Sequence, residues 1–194
     1  MDSDDLARML MSDERREWQD PEAILESAGV AKGMTVADLG CGPGFFTLPV
    51  ASIVGPSGLV YAIDSSPTML RHLRRSIKAA GVSKRAFRII EADVSRTGIP
   101  AATVDVALFA NVLHDIDDKR SFLEEVRRIC RKGAAVVDVD WKKSRTESGP
   151  PHRIRLSASE ARTILSENGF CVLRPFEAGP FHYGLVFRDI ECSH

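Results

Sequence analysis

The sequence predicts an α/β domain: a mostly parallel sheet with helices on both faces, closed by an antiparallel pair of strands. Three observations carry this reading. Short apolar runs alternate along the chain with helix-length amphipathic patterns, as in strand–helix–strand units. The first run, "VADLG", passes straight into glycines at every second position: Gly40, Gly42 and Gly44. The last two runs are joined by a short "AGP" connection. That leaves no room for a crossover helix, so those strands must pair antiparallel.

The elements follow in order. "DPEAILESAG" (20–29) is a helix with Asp20 as N-cap, Pro21 in the first turn and Gly29 at its end. "MTVADLG" (34–40) is a buried strand, "FFTLPVASIVG" (45–55) a helix and "GLVYAID" (58–64) a second strand. "SPTMLRHLRRSIKAAG" (66–81) is a helix capped by Ser66. "AFRIIEAD" (86–93) and "VDVALFANVL" (104–113) are the third and fourth strands. A helix follows over 118–133, with Phe122, Leu123, Val126, Ile129 and Cys130 on one face, then a fifth strand, "AAVVDVDW" (134–141). The helix over 157–169 opens with a capping box, Ser157 to Glu160. Strands over 170–177 and 181–188 close the chain.

At 194 residues the chain suits one domain, 1–194, with an N-terminal helical extension or lid over 1–30 and a core over 31–188. A formal net charge of −1 disfavours nucleic acid or an anionic membrane as partner. The acidic start, "MDSDDLARML", is unlike a secretory signal, and no apolar run approaches a membrane span. Cys41, Cys130, Cys171 and Cys192 are scattered without CxxC spacing. No metal site is expected, and free thiols point to the cytoplasm.

The glycine loop lies at the carboxyl end of the first strand, where such sheets bind ligands. A P-loop requires Gly-Lys-Ser/Thr, but Gly44 is followed by Phe45 and Phe46. A dinucleotide fingerprint needs glycine at 45. The actual spacing is D-x-G-x-G-x-G. Three strand ends offer carboxylates, Asp38, Asp64 and Asp93, with no Lys or Arg beside them. Such a set suits a cationic, phosphate-free ligand with hydroxyls.

With "VYAIDSSPTML", "IIEADV" and "VDVALFANVLHDIDD", the loop segment "VADLGCGPGFFT" resembles the class I S-adenosylmethionine-dependent methyltransferases, especially the small UbiE-like, type 11/25 group. The resemblance implies a Rossmann-like seven-stranded sheet of order 3-2-1-4-5-7-6. It also implies S-adenosylmethionine as cofactor, S-adenosylhomocysteine as product and a small-molecule methyl acceptor. Carried over residue by residue, it places Asp38 near the methionyl ammonium, in a loop of Leu39, Gly40, Cys41, Gly42 and Gly44. Asp64, beside Ser65, takes the ribose hydroxyls. Met69 packs on the adenosine, and Asp93 meets the adenine amino group between Ala92 and Val94. Asn111 contacts the methionine end. Each also has a plainer reading: Asp38 as a turn residue, Asp64 as a helix cap, Met69 and Cys41 as core.

His114, in "NVLHD", is a candidate general base or a pocket-lining residue. Trp18 and Trp141, with His114, are candidates for the acceptor pocket. Trp141 either faces the sulfonium or simply covers the core. The acceptor wall can come from residues 1–20, 111–118 and 141–156. An RNA or protein methyltransferase, a non-catalytic cofactor binder and an NAD(P)-dependent reductase remain as alternatives, the last disfavoured by Phe45. Fold alone does not decide among them.

Overall fold

The computed structural model describes residues 2–190; Cys192 lies outside them. Three helices lead in: α1 (Ser3–Leu10), α2 (Asp13–Trp18) and α3 (Pro21–Ala28). Then come β1 (Thr35–Leu39), α4 (Thr47–Val54), β2 (Leu59–Asp64), α5 (Pro67–Ala79), β3 (Phe87–Glu91) and β4 (Val104–Ala110). The chain closes with α6 (Lys119–Ile129), β5 (Cys130–Trp141), α7 (Ala158–Glu167), β6 (Phe170–Glu177) and β7 (His182–Asp189). The sheet order is β3-β2-β1-β4-β5-β7-β6. The first five strands run parallel, and β7 is antiparallel to both its neighbours. This is the expected topology.

The inner strands bury both faces, so they read as continuous apolar runs. Val36, Val60, Ala62, Val106, Leu108, Val137 and Val139 face the core built by α3, α4 and α5. Ala37, Leu39, Ile63, Ala107, Phe109 and Val136 face the other core, under α6 and α7. Asp38, between Ala37 and Leu39, therefore lies on the α4 face, only 2% exposed.

Local sequence explains most boundaries. Asp20, Ser66 and Ser157 cap α3, α5 and α7 as expected, and the Ser157–Glu160 capping box is complete. Other bounds differ. α4 begins at Thr47 rather than at residue 45, because Phe45 and Phe46 turn inward, packed edge to face and buried. β3 ends at Glu91, which leaves Asp93 in the following turn, where its Oδ1 accepts the Ser95 N–H at 2.7 Å. β5 starts four residues early, at Cys130, with an irregularity in its pairing to β4 between Val104 and Val106.

The extension is docked. Asp2 and Ser12 cap α1 and α2. Asp4 ties α1 to α5 through Arg71 at 3.0 Å and His72 at 2.6 Å. The β6–β7 turn presses on the end of α2. At Gly179, with φ +99°, an added Cβ would collide with the Trp18 carbonyl oxygen.

Candidate active site

The glycine loop is fastened to β2. The N–H groups of Gly40 and Cys41 donate to the Ile63 carbonyl at 2.8 and 2.9 Å, and Gly42 N–H donates to Asp64 Oδ2 at 2.8 Å. Asp64 Oδ1 accepts the Ser66 N–H at 2.8 Å. Asp64 is thus a clamp across the loop, with one lone pair left on each oxygen for ligand hydroxyls. Two glycines are required by close approach: a Cβ at Gly40 or at Gly44 would lie 2.5 Å from Val112 or Leu73. At Gly42 a Cβ would meet nothing, because that position faces open space.

That space is a cavity of about 190 Å³. It gathers Asp38, Gly40, Cys41, Gly42, Asp64, Met69 and Asn111 from the expected set. Leu10, Arg15, Phe45 and Phe46 also line it, though sequence reasoning singled out none of them as site residues. Leu39 instead packs in the α6–α7 core, and Gly44 serves the approach of α5. Ser65 and Asp93 are exposed, and Ala92 and Val94 stand with Asp93 outside the cavity. A larger groove of about 600 Å³ lies between α5 and β3, lined by Arg71, Arg74, Arg75 and Lys78 around Ile77, Phe87 and Ile89. No carboxylate is among these lining residues.

Burial lifts the Asp38 carboxyl to about 7. The Thr47 hydroxyl, donating at 2.6 Å, opposes this, Asp64 adds to it and Arg15 offsets it. A desolvated carboxylate invites a cationic ligand. Asn111 sits beside it in the left-handed region, φ 60°, which Asn tolerates better than most residues. Its N–H donates to the Val139 carbonyl at 2.7 Å, and its buried Oδ1 has no partner among the described residues. An acceptor without a donor and a carboxylate without a counterion fit an ammonium. The cavity therefore suits a ligand that carries an ammonium group, with Asp64 on its rim. Cys41 is a buried thiol whose pKa is pushed well up by burial and by Asp38 and Asp64.

Beyond β4 the chain builds a second polar group. His114 Nδ1 lies 2.8 Å from Asp140 Oδ1, and Asp140 also accepts the N–H groups of Trp141 and His114. Burial opposes protonation of His114, but Asp140, with Asp115, raises its pKa overall. Its side chain is 4% exposed. Asp138, two residues before Asp140 and on the same face of β5, is wholly buried and its pKa is driven far up by that burial and by Asp140. Tyr183 lies beside it without completing a hydrogen bond.

Trp18 and Trp141 do converge, with ring centroids 5.6 Å apart. Neither lines the cavity at the glycine loop. His182 stacks on Trp18 at 5.4 Å and 7°, and lies 4.3 Å from Trp141. Phe181 covers the edge. Burial, with Arg15, Arg155 and Lys142, holds His182 near pKa 3, so it is neutral, yet both ring nitrogens are unpartnered. Arg155, 3% exposed, knits the 142–156 loop through the carbonyls of Ser144, Ser148 and Pro150 and places its guanidinium over Trp141. Asp140, His182 and Arg155 were missed because each lies in an unremarkable run of sequence. Only the period-two placement of Asp138 and Asp140 in an apolar strand was a signal.

Comparison with known proteins places this geometry among the class I S-adenosylmethionine-dependent methyltransferases. The structure of such an enzyme from Aquifex aeolicus matches with a TM-score of 0.89 at 30% identity, over 96% of this chain and 98% of that one. A sequence profile described as a methyltransferase domain matches residues 37–137, and the chain belongs to that family. A demethylmenaquinone methyltransferase of Geobacillus stearothermophilus is 27% identical over 63% of this chain and 52% of its own length. A ubiquinone/menaquinone biosynthesis C-methyltransferase, UbiE, of Pasteurella multocida is 29% identical over 61% and 44%. The chain thus spans about half the length of the curated relatives it matches. Among the described residues no helix is long and apolar enough to cross a membrane.

Proposed function

We propose that this protein transfers the methyl group of S-adenosylmethionine to a small-molecule acceptor. The observation that carries the reading is the buried, cation-seeking Asp38 opposite the unpartnered Asn111 Oδ1, at the mouth of the glycine loop. When bound, the cofactor supplies an activated methyl group for in-line displacement. The chain's own work is to hold, orient and exclude water. Asp38 and Asn111 take the ammonium, Asp64 the ribose hydroxyls, and Asp93 the adenine amino group through its remaining oxygen. Helices α1 and α2 lid the site, and Trp18, Trp141, His182 and Phe181 wall the acceptor side. That aromatic wall suits a planar acceptor, and a quinone-type ring is the one that the two relatives' names supply. His114, whose Nδ1 is held by Asp140, is the candidate to take a proton from such an acceptor. Cys41 and Cys171 remain thiols, in keeping with a cytoplasmic location.

The test is transfer of labelled methyl from the cofactor into an extract of the host, with products separated by size and identified by mass. Label in a small molecule supports the reading. Label confined to RNA or protein replaces the acceptor class, and binding without transfer leaves a cofactor-binding protein. His114→Gln should then lower turnover about 100-fold or more on an acceptor that must lose a proton, and remove the corresponding limb of the pH–rate profile.

A further inference from the structure

We propose that Arg15 binds the carboxylate of the cofactor's amino-acid end and so makes α2 respond to the cofactor. The proposal rests on the cofactor reading above and adds a residue to it. Arg15 is a buried cation, 8% exposed, on the short α2 helix, and it lines the cavity opposite Asp38. Its guanidinium carbon lies over Phe45, 3.8 Å from the ring centroid. Nε donates to Gln19 Oε1 at 2.9 Å and Nη1 to the Leu10 carbonyl at 3.0 Å. Both partners belong to the N-terminal extension, and Nη2 has no partner among the described residues. Asp38 attracts the group across the cavity but does not reach ion-pair distance.

A guanidinium taken out of water usually spends its donors on a carboxylate. Here the fork is held in place by neutral groups, with one arm left over the cavity. The charges in the cavity, Asp38 and Asp64 against Arg15, mirror a ligand bearing ammonium, sulfonium and carboxylate. The far end of the same helix carries Trp18 onto Trp141 and His182. A carboxylate on Arg15 therefore ties the cofactor to the element that carries Trp18 onto Trp141 and His182.

Calorimetry with two ligands tests this: S-adenosylhomocysteine, and its decarboxylated analogue S-adenosyl-3-thiopropylamine, which keeps the ammonium. In the unaltered protein, loss of the carboxylate should weaken binding about 10- to 100-fold, as for a charge-assisted pair. In Arg15→Met the same loss should cost about threefold or less. Hydrogen exchange over residues 13–18 should slow with the first ligand and not with the second. Equal discrimination in the protein and in Arg15→Met overturns the proposal and leaves Arg15 as packing for Phe45. Should Arg15→Met fail to fold, equal affinity of the two ligands for the unaltered protein overturns it just as well. If the unaltered protein binds neither nucleoside, the cofactor reading itself falls, and this proposal with it.

Discussion

The two halves of the sheet's carboxyl edge are built on opposite plans. On the β1–β2 side, Asp38 and Asp64 look into an open cavity, and the loop between them is fixed by backbone donors. On the β5–β7 side, aromatic rings shut in His182, and its ring nitrogens, like the buried oxygens of Asp138 and Tyr183 on the other face of the strands, have no partner among the described residues. A buried polar group without a partner costs about 1–3 kcal/mol. The first half keeps its shape before any ligand arrives. The second holds unspent hydrogen-bonding capacity in a closed interior.

Asp38→Asn probes that contrast hardest. It removes the buried carboxylate that faces the cavity, and should weaken S-adenosylmethionine binding about 100-fold at pH 8. The same change should raise the melting temperature of the ligand-free protein there, because an ionised buried carboxylate is costly. A lowered melting temperature with unchanged affinity would make Asp38 a structural residue and erase the distinction between the halves.

Asp64→Ala should weaken cofactor binding by about 10- to 100-fold. Here the melting temperature should fall too, since the N–H groups of Gly42 and Ser66 lose their acceptor. Intact stability would mean that the loop holds itself without the clamp.

The pH dependence comes next in size. With a folded pKa of about 7 against an ordinary 3.8, Asp38 holds a proton in the folded chain that the unfolded chain has released. Ligand-free stability from this group should therefore decline as pH rises from about 4 to 7 and level off above. Affinity for the cationic cofactor should rise over about pH 6–7, at most tenfold per unit, and level off above. Calorimetry and melting curves across pH 5–8 check both slopes, and Asp38→Asn should flatten them.

Trp18→Ala is the mildest. Each aromatic pair it loses is worth about 0.5–1.5 kcal/mol. Turnover should drop several-fold to tenfold and the melting point by a few degrees, while cofactor affinity holds within about threefold. A cofactor affinity that falls as steeply as turnover would show that Trp18 serves the cofactor half.

The same contrast explains what could be read before the structure was known. Asp38, Gly40, Gly42 and Asp64 were legible because one loop and the strand beside it build that half, and the spacing is fixed by backbone turns. The strand order and caps were legible for the same local reason. Asp140, His182 and Arg155 belong to separate segments, and only the pairing of β5 with β7 brings Trp141 opposite His182. Arg15 was hidden differently. In "DERREW" it looks like one of several solvated charges, and only its burial at the edge of the cavity sets it apart from Arg16, which also lies over Phe45.

Gly179 bears on how such a protein could be re-engineered. Its bare Cα is what allows the β6–β7 turn to sit against the Trp18 carbonyl. The α2 end and the turn, about 160 residues apart in the chain, are therefore cut to one another's outline. A chimera that borrows residues 3–18 from another enzyme to change the acceptor would inherit a misfit unless it also borrows 178–181. The exchangeable cassette is the two pieces together, and a library that varies either alone will mostly sample broken joints.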